Sequence, residues 1–198
     1  MKFGIEIEFI TNEINLLISK LAQLNIKYIY VPLAKFDNHR KVSSKEFLVI
    51  KPDSSLGKDG WEINIPPTYS FEMIEQLLDI VSESCNPELV DNAAMHIHVD
   101  TYTLSGYDLD NVYKYYYDNQ ERIIADAKTM GLYSGEELNR MLPENIKEVK
   151  SRKTNLNFRS VRMHKTLEHR IYKSTLDIDN VKWAVTQTLD IIEKAINK

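Results

Sequence analysis

The stretch Phe3-Gly4-Ile5-Glu6-Ile7-Glu8-Phe9 sets two carboxylates two positions apart in a run that otherwise suits a buried strand. Strand alternation aims both at one face. Like charges that close are costly unless positive charge lies beside or between them, and a metal ion meets that need. Three further stretches share the pattern. Met95-His96-Ile97-His98-Val99-Asp100 sets His96, His98 and Asp100 on one strand face, and Leu167-Glu168-His169-Arg170-Ile171 does the same for Glu168 and Arg170. The turn-rich run from Lys51 to Pro67 carries Asp53, Ser55 and Glu62.

Taken singly, each stretch has an ordinary explanation as a wet strand face or a packed histidine pair. Together they repeat one arrangement, because the alternate positions Ile5, Ile7, Ile97, Val99, Leu167 and Ile171 stay apolar. Carboxylate oxygens with one or two imidazoles and no thiolate suit Mg²⁺ or Mn²⁺ better than structural zinc. The chain has no P-loop, no glycine-rich dinucleotide fingerprint, no nucleophile elbow and no paired-histidine zinc helix. A nucleotide bound here would have its phosphates held by metal ions and arginines.

The elements that must position these residues follow from periodicity. β-branched and aromatic runs predict strands near Phe3 to Ile10, Ile26 to Val31, Glu46 to Lys51, Trp61 to Ile65, Ala94 to Asp100, Leu156 to His164 and Thr166 to Lys173. Helical spacing joins Ile14, Leu17, Ile18 and Leu21, and then Phe71, Ile74, Leu77, Leu78 and Val81 behind a Ser70 cap. A long helix is expected after Asp108, Ser134 with Glu137 reads as a capping box for another, and a last helix runs from about Ile178 with Val181, Val185, Leu189 and Ile192 inward. The pattern predicts an α+β fold: a mostly antiparallel sheet with helices on one face and polar residues gathered on the other.

At 198 residues and 43% hydrophobic the chain suits one domain spanning 1–198. Its lone Cys85 excludes an intrachain disulfide, and with no membrane-length apolar run or signal peptide the expected setting is soluble and cytoplasmic. The net charge of -4 is uneven. From Lys147 to Lys173 nine Lys/Arg stand against two acids, a local +7 that leaves -11 for the remainder. That segment reads either as a solvated basic surface or as a pocket for phosphates. The acidic total and the lack of a basic-aromatic module argue against a nucleic-acid partner. Tyr115 to Tyr117 wrap a long helix, Trp61 and Trp183 serve packing, His39 and His164 have no evident partners, and nothing activates the Cys85 thiol.

In order along the chain, FGIEIEF, IKPDSSLGKDGWEINIPP, MHIHVD, RKTNLNF and LEHRIYKSTLD resemble the motifs of the amidoligase family. That family belongs with the glutamine synthetase and glutamate-cysteine ligase superfamily of carboxylate-amine ligases. The resemblance runs from Gly4 to about Asp177 in short islands, with Ser54 where family members often carry glycine. It implies a curved sheet like the glutamine synthetase catalytic domain, binding ATP and Mg²⁺ (or Mn²⁺). Glu6, Glu8, Glu62, His96 and Glu168 match its metal positions, and Arg170 the arginine on the transferred phosphate. By the same resemblance Arg170, Glu62 and Asp53 lie at the chemistry. Asp53, Ser55, Arg152 and Asn157 lie beside substrate, and His98 and Asp100, with Arg159 and Arg162, lie near the nucleotide. The implied partners are small-molecule or peptide carboxylates and amines, and a homo-oligomer could complete so small a site. Two other readings stay open: a non-catalytic metal and nucleotide sensor, and a metal-dependent hydrolase with its ion on His96, His98 and Asp100.

Overall fold

A computed structural model describes residues 1–32, 44, 46–68, 70–135, 141–149 and 153–197, with the backbone alone for residue 147. Among them the structure is α+β, with a seven-stranded open sheet and five helices. The strands are β1 (Phe3–Ile10), β2 (Tyr28–Tyr30), β3 (Leu48–Pro52), β4 (Gly60–Thr68), β5 (Ala94–Asp100), β6 (Leu156–Asn157) and β7 (Thr166–Lys173). The helices are α1 (Ile14–Gln23), α2 (Glu72–Cys85), α3 (Gly106–Thr129), α4 (Arg159–His164) and α5 (Ile178–Ile196). Strand order is β2-β3-β4-β1-β5-β7-β6. The sheet is mixed: β2 runs parallel to β3, and every other neighbouring pair is antiparallel.

Alternation gives the sheet two unlike faces. Ile5, Ile7 and Phe9 of β1, Ile63 of β4, Ile97 of β5 and Leu167 and Ile171 of β7 belong to one buried cluster with residues of four helices. The helices meet it at i, i+3 and i+4 spacing: Ile14, Leu17 and Leu21 of α1, Ile74, Leu77, Leu78 and Val81 of α2, and Val181, Val185 and Ile192 of α5. α1 packs on α2 and α3 packs on α5. The N-cap of α2 is Phe71, which makes no side-chain cap bond, rather than the expected Ser70, whose Oγ accepts from Glu72 N–H one residue earlier. Asp177 accepts from Asp179 and Asn180 N–H at the start of α5. α3 starts two residues ahead of Asp108, which sits in its first turn in a reciprocal capping box with Ser105. Tyr116 is buried on its inner side, with Tyr115 and Tyr117 half-buried. Leu189 is half-buried at the edge of the α5 stripe. The residue that would complete the Ser134 capping box, Glu137, lies outside the described residues, as do His39 and Arg152.

The structure corrects the strand expected from Leu156 to His164. β6 is two residues long, and α4 occupies the rest. Asn157 Oδ1 accepts from Arg159 N–H at 3.0 Å, turning the chain, and Phe158 and Val161, three apart, both pack on the core. Cys85 is buried and its thiol is pushed up to about 11 by burial, so it is no nucleophile. Trp61 is buried, donating to Thr11 O, and Trp183 packs at the core margin.

His169 points away from its neighbours Glu168 and Arg170, into the helical side. Its nitrogens lie 2.8 Å from Thr188 Oγ1 and 2.9 Å from Tyr116 OH, and burial depresses it to about 3. The folded protein therefore keeps His169 neutral while the unfolded chain protonates it near 6.5. The stability this neutrality contributes is complete above pH 6.5 and is lost as pH falls toward 3, at up to roughly 1.4 kcal/mol per pH unit. Denaturant melts between pH 7 and 4 should show this loss in the wild type and a flatter dependence in His169→Gln; equal slopes would contradict it.

Candidate metal centre

The opposite face gathers acids and imidazoles by register. Glu6 stands across from Asn64 and His96, Glu8 from Glu62, Glu62 from Lys51, and His98 from Glu168, which faces Asn157. Asp53 arrives from the turn after β3, where its Oδ1 accepts from Ser55 N–H at 2.8 Å. That turn closes tightly on Gly60: a Cβ there would lie 2.4 Å from Asp53 O and 2.5 Å from Leu56 Cβ, so only glycine fits. A cavity of about 830 Å³ opens over this face. Lys153 and Arg159 to Lys165, excepting Val161 and Arg162, line its far side.

Glu6 has three polar side chains against it. Its Oε1 accepts from Asn64 Nδ2 at 2.7 Å and lies 3.3 Å from His98 Nε2, while Oε2 lies 3.1 Å from His96 Nδ1. Burial acts to raise its carboxyl, but His98 and His96 together outweigh it and hold Glu6 well below the usual range. Glu168 is lowered in the same way, His98, Arg170 and His96 prevailing over burial. Its Oε2 accepts from Asn157 Nδ2 at 2.6 Å and its Oε1 pairs with Arg170. Glu6, Glu168 and Glu62 raise His98 to about 8 against burial, and Thr166 Oγ1, 3.0 Å from Nδ1, fixes its ring. Glu8 behaves oppositely. Burial first, then the Asp53 carboxylate, push it up to about 8 even though Oε2 accepts from Ala94 N–H at 2.9 Å. Burial and then Glu6 lift Glu62 to about 7 against its 2.8 Å ion pair with Lys51.

These residues fit hard divalent cations. Among the described residues, donor atoms of Glu6, His98 and Glu168 lie within 4.8 Å of one another, and so do those of Glu8, Asp53 and Glu62. His96 sits between the groups: its buried Nε2 has no hydrogen-bond partner and lies 3.9 Å from Glu8 Oε1. On this floor the carboxyls of Glu6, Glu8, Asp53, Glu62 and Glu168 lie with Lys51 and Arg170, and Lys153, Arg159 and Lys165 also line the cavity. Glu8 and Glu62, raised by burial and by neighbouring carboxyls, are the acids that a cation beside them would relieve.

The expected residues do not all converge. Glu6, Glu8, Glu62, His96, Glu168, Arg170, Asp53, Ser55, His98, Asn157 and Arg159 line the cavity. Asp100 does not: it accepts from Tyr102 N–H at 3.0 Å at the strand end, so the three-residue site His96, His98 and Asp100 does not assemble. Arg162 is also outside it, exposed on α4. Asn157 lines the cavity but has its amide on Glu168 and its carbonyl on Arg159 N–H, which makes it a support for Glu168 rather than a free substrate contact. Lys51 and Asn64 went unremarked in the sequence, although both follow the same alternation that exposes Glu62 to the cavity.

Only the ionised carboxylate binds a cation, so at pH 7 the binding of Mn²⁺ to Glu8, Asp53 and Glu62 should displace protons from Glu8 and Glu62. Affinity should climb by up to about 100-fold per pH unit below 7, by up to about tenfold per unit between 7 and 8, and flatten above. Calorimetry in buffers of different ionisation enthalpy measures the release, and pH-independent binding with no proton exchange would contradict it. No protein-family model matches the chain, and no curated protein matches it.

Proposed function

We propose that the protein is an ATP-dependent carboxylate-amine ligase, with a sheet like the glutamine synthetase catalytic domain, acting on amino-acid or peptide-type carboxylates. The observation that carries this reading is the pair of three-residue donor groups flanking His96, beside Arg170, on the floor of one cavity. Glu6, His98 and Glu168 would hold one Mg²⁺ and Glu8, Asp53 and Glu62 a second. Bound there, such ions neutralise phosphoryl oxygens as Lewis acids.

The reaction explains the residue types. A carboxylate is a poor acyl donor, so it first attacks the γ-phosphate of ATP, breaking the bond to ADP and forming an acyl phosphate; an amine then displaces phosphate to give the amide. Triphosphate and carboxylate repel each other, and holding them in reach calls for concentrated positive charge. The Arg170 guanidinium lies half-buried on the floor, oriented by Glu168, which Asn157 holds from the other side. A planar fork of donors so fixed matches a phosphoryl group through two parallel bonds. Lys153, Arg159 and Lys165 line the same cavity and complement anionic substrates entering from that side. The volume of about 830 Å³ lies in the upper part of the range for ligand pockets, ample for a nucleotide with a second substrate.

Glu6→Ala and Glu168→Gln should each lower substrate-dependent ADP release at least about 100-fold while leaving the circular-dichroism spectrum unchanged. Arg170→Lys should lower kcat by a similar factor, since a point charge cannot replace the bidentate contact. The assay is ADP release with Mg²⁺ across panels of carboxylates and amines. Near-normal turnover in Glu6→Ala or Glu168→Gln would refute the assignment of these acids.

A further inference from the structure

The Lys51 ammonium is paired with an acid that a divalent-cation site would also need. Its Nζ is 2.8 Å from Glu62 Oε1, with the two side chains only 13% and 12% exposed, and it lines the cavity. Glu62 is also one of the three acids able to close on an ion with Glu8 and Asp53. One carboxylate therefore has two claimants. We infer that Lys51 is a cation-released anion contact: it neutralises Glu62 until a divalent ion takes Glu8, Asp53 and Glu62, and then turns into the cavity to hold an anionic group of the substrate. This rests on the reading of those three acids as a cation site.

A divalent ion on Glu62 repels the neighbouring ammonium and removes the charge that held it. Lys51 remains tethered on β3 opposite Glu62, so its flexible stem can reach only the space above the same floor. An incoming phosphoryl or carboxylate group is the partner of opposite sign in that space. The device makes metal and anionic ligand bind cooperatively, and by linkage the coupling acts equally in both directions. It also distinguishes Lys51 from Arg170, whose partner Glu168 belongs to the other group of donors.

Mn²⁺ binding, followed by the electron-paramagnetic-resonance signal of the free ion, and calorimetric binding of the imido analogue of ATP at saturating Mn²⁺ test this in the full chain. In Lys51→Met the Mn²⁺ site on Glu8, Asp53 and Glu62 should tighten by about tenfold, because its competitor is gone, while the analogue binds about tenfold more weakly. Opposite shifts are not what a merely structural lysine would produce. Lys51→Gln, which keeps a donor toward Glu62, should show both shifts and serves if the methionine variant does not fold. Unchanged or weaker Mn²⁺ binding overturns the competition, and tighter Mn²⁺ with unchanged analogue binding overturns the transfer to the anion. Absence of Mn²⁺ binding in wild type and variant alike overturns both this inference and the metal centre. Failure of the ligase reading alone would look different: the shifts would persist without any substrate-dependent ADP release.

Discussion

Two carboxylates on the central strand, Glu8 buried and Glu6 half-buried, are the constraint that organises the whole cavity face. Glu6 and Glu8 stand side by side on β1 with their neighbours across the sheet fixed by backbone pairing. Each is neutralised differently. Glu6 is enclosed by two imidazoles and an amide, whereas Glu8 has one backbone N–H and another carboxylate nearby. The contrast in their acidities follows from those surroundings: the imidazoles beside Glu6 outweigh its burial, whereas burial and Asp53 together raise Glu8. Removing one partner from such a network leaves a buried charge uncompensated, which is more damaging than never having had the pair.

The rigidity this demands comes from the other face. Ile5, Ile7 and Phe9 interleave with the charged positions of β1 and belong to the one buried cluster shared with the helices, so the acids are held by the packing behind them. β7 repeats the arrangement in three consecutive residues: Glu168 and Arg170 serve the cavity while His169 is hydrogen-bonded among Tyr116 and Thr188 in the core. A polar residue between two site residues is thus part of the scaffold, and its burial keeps it uncharged.

Much of this was legible because β1, β5 and β7 alternate through their site residues, and alternation assigns a face to each of those side chains. Glu6, Glu8, His96, His98, Glu168 and Arg170 could be placed together on that ground. Alternation says nothing of reach: Asp100 shares the face of His98, yet stands at the strand end where a loop N–H claims it. The segment after Asn157 misleads because Phe158 and Val161 fit either a short strand or one turn of helix, and a single side-chain bond to Arg159 N–H settles it. That choice also carries Arg162 to the outside. How the donors divide, with His98 joining Glu6 and Glu168 and with Asp53 joining Glu8 and Glu62, depends on approach across strands that no local pattern encodes.

The place of β1 between β4 and β5 has a bearing on how the chain reaches this state. β1 is synthesised before either strand that will flank it, and those strands begin only at Gly60 and Ala94. Its pairings are therefore long-range, with loop closure to be met before ladder bonds form, a topology associated with slow folding. Until then its apolar edge and face lack their partners, and the charges of Glu6 and Glu8, an obstacle in the finished core, act as gatekeepers that keep a nascent β-prone segment from pairing with copies of itself.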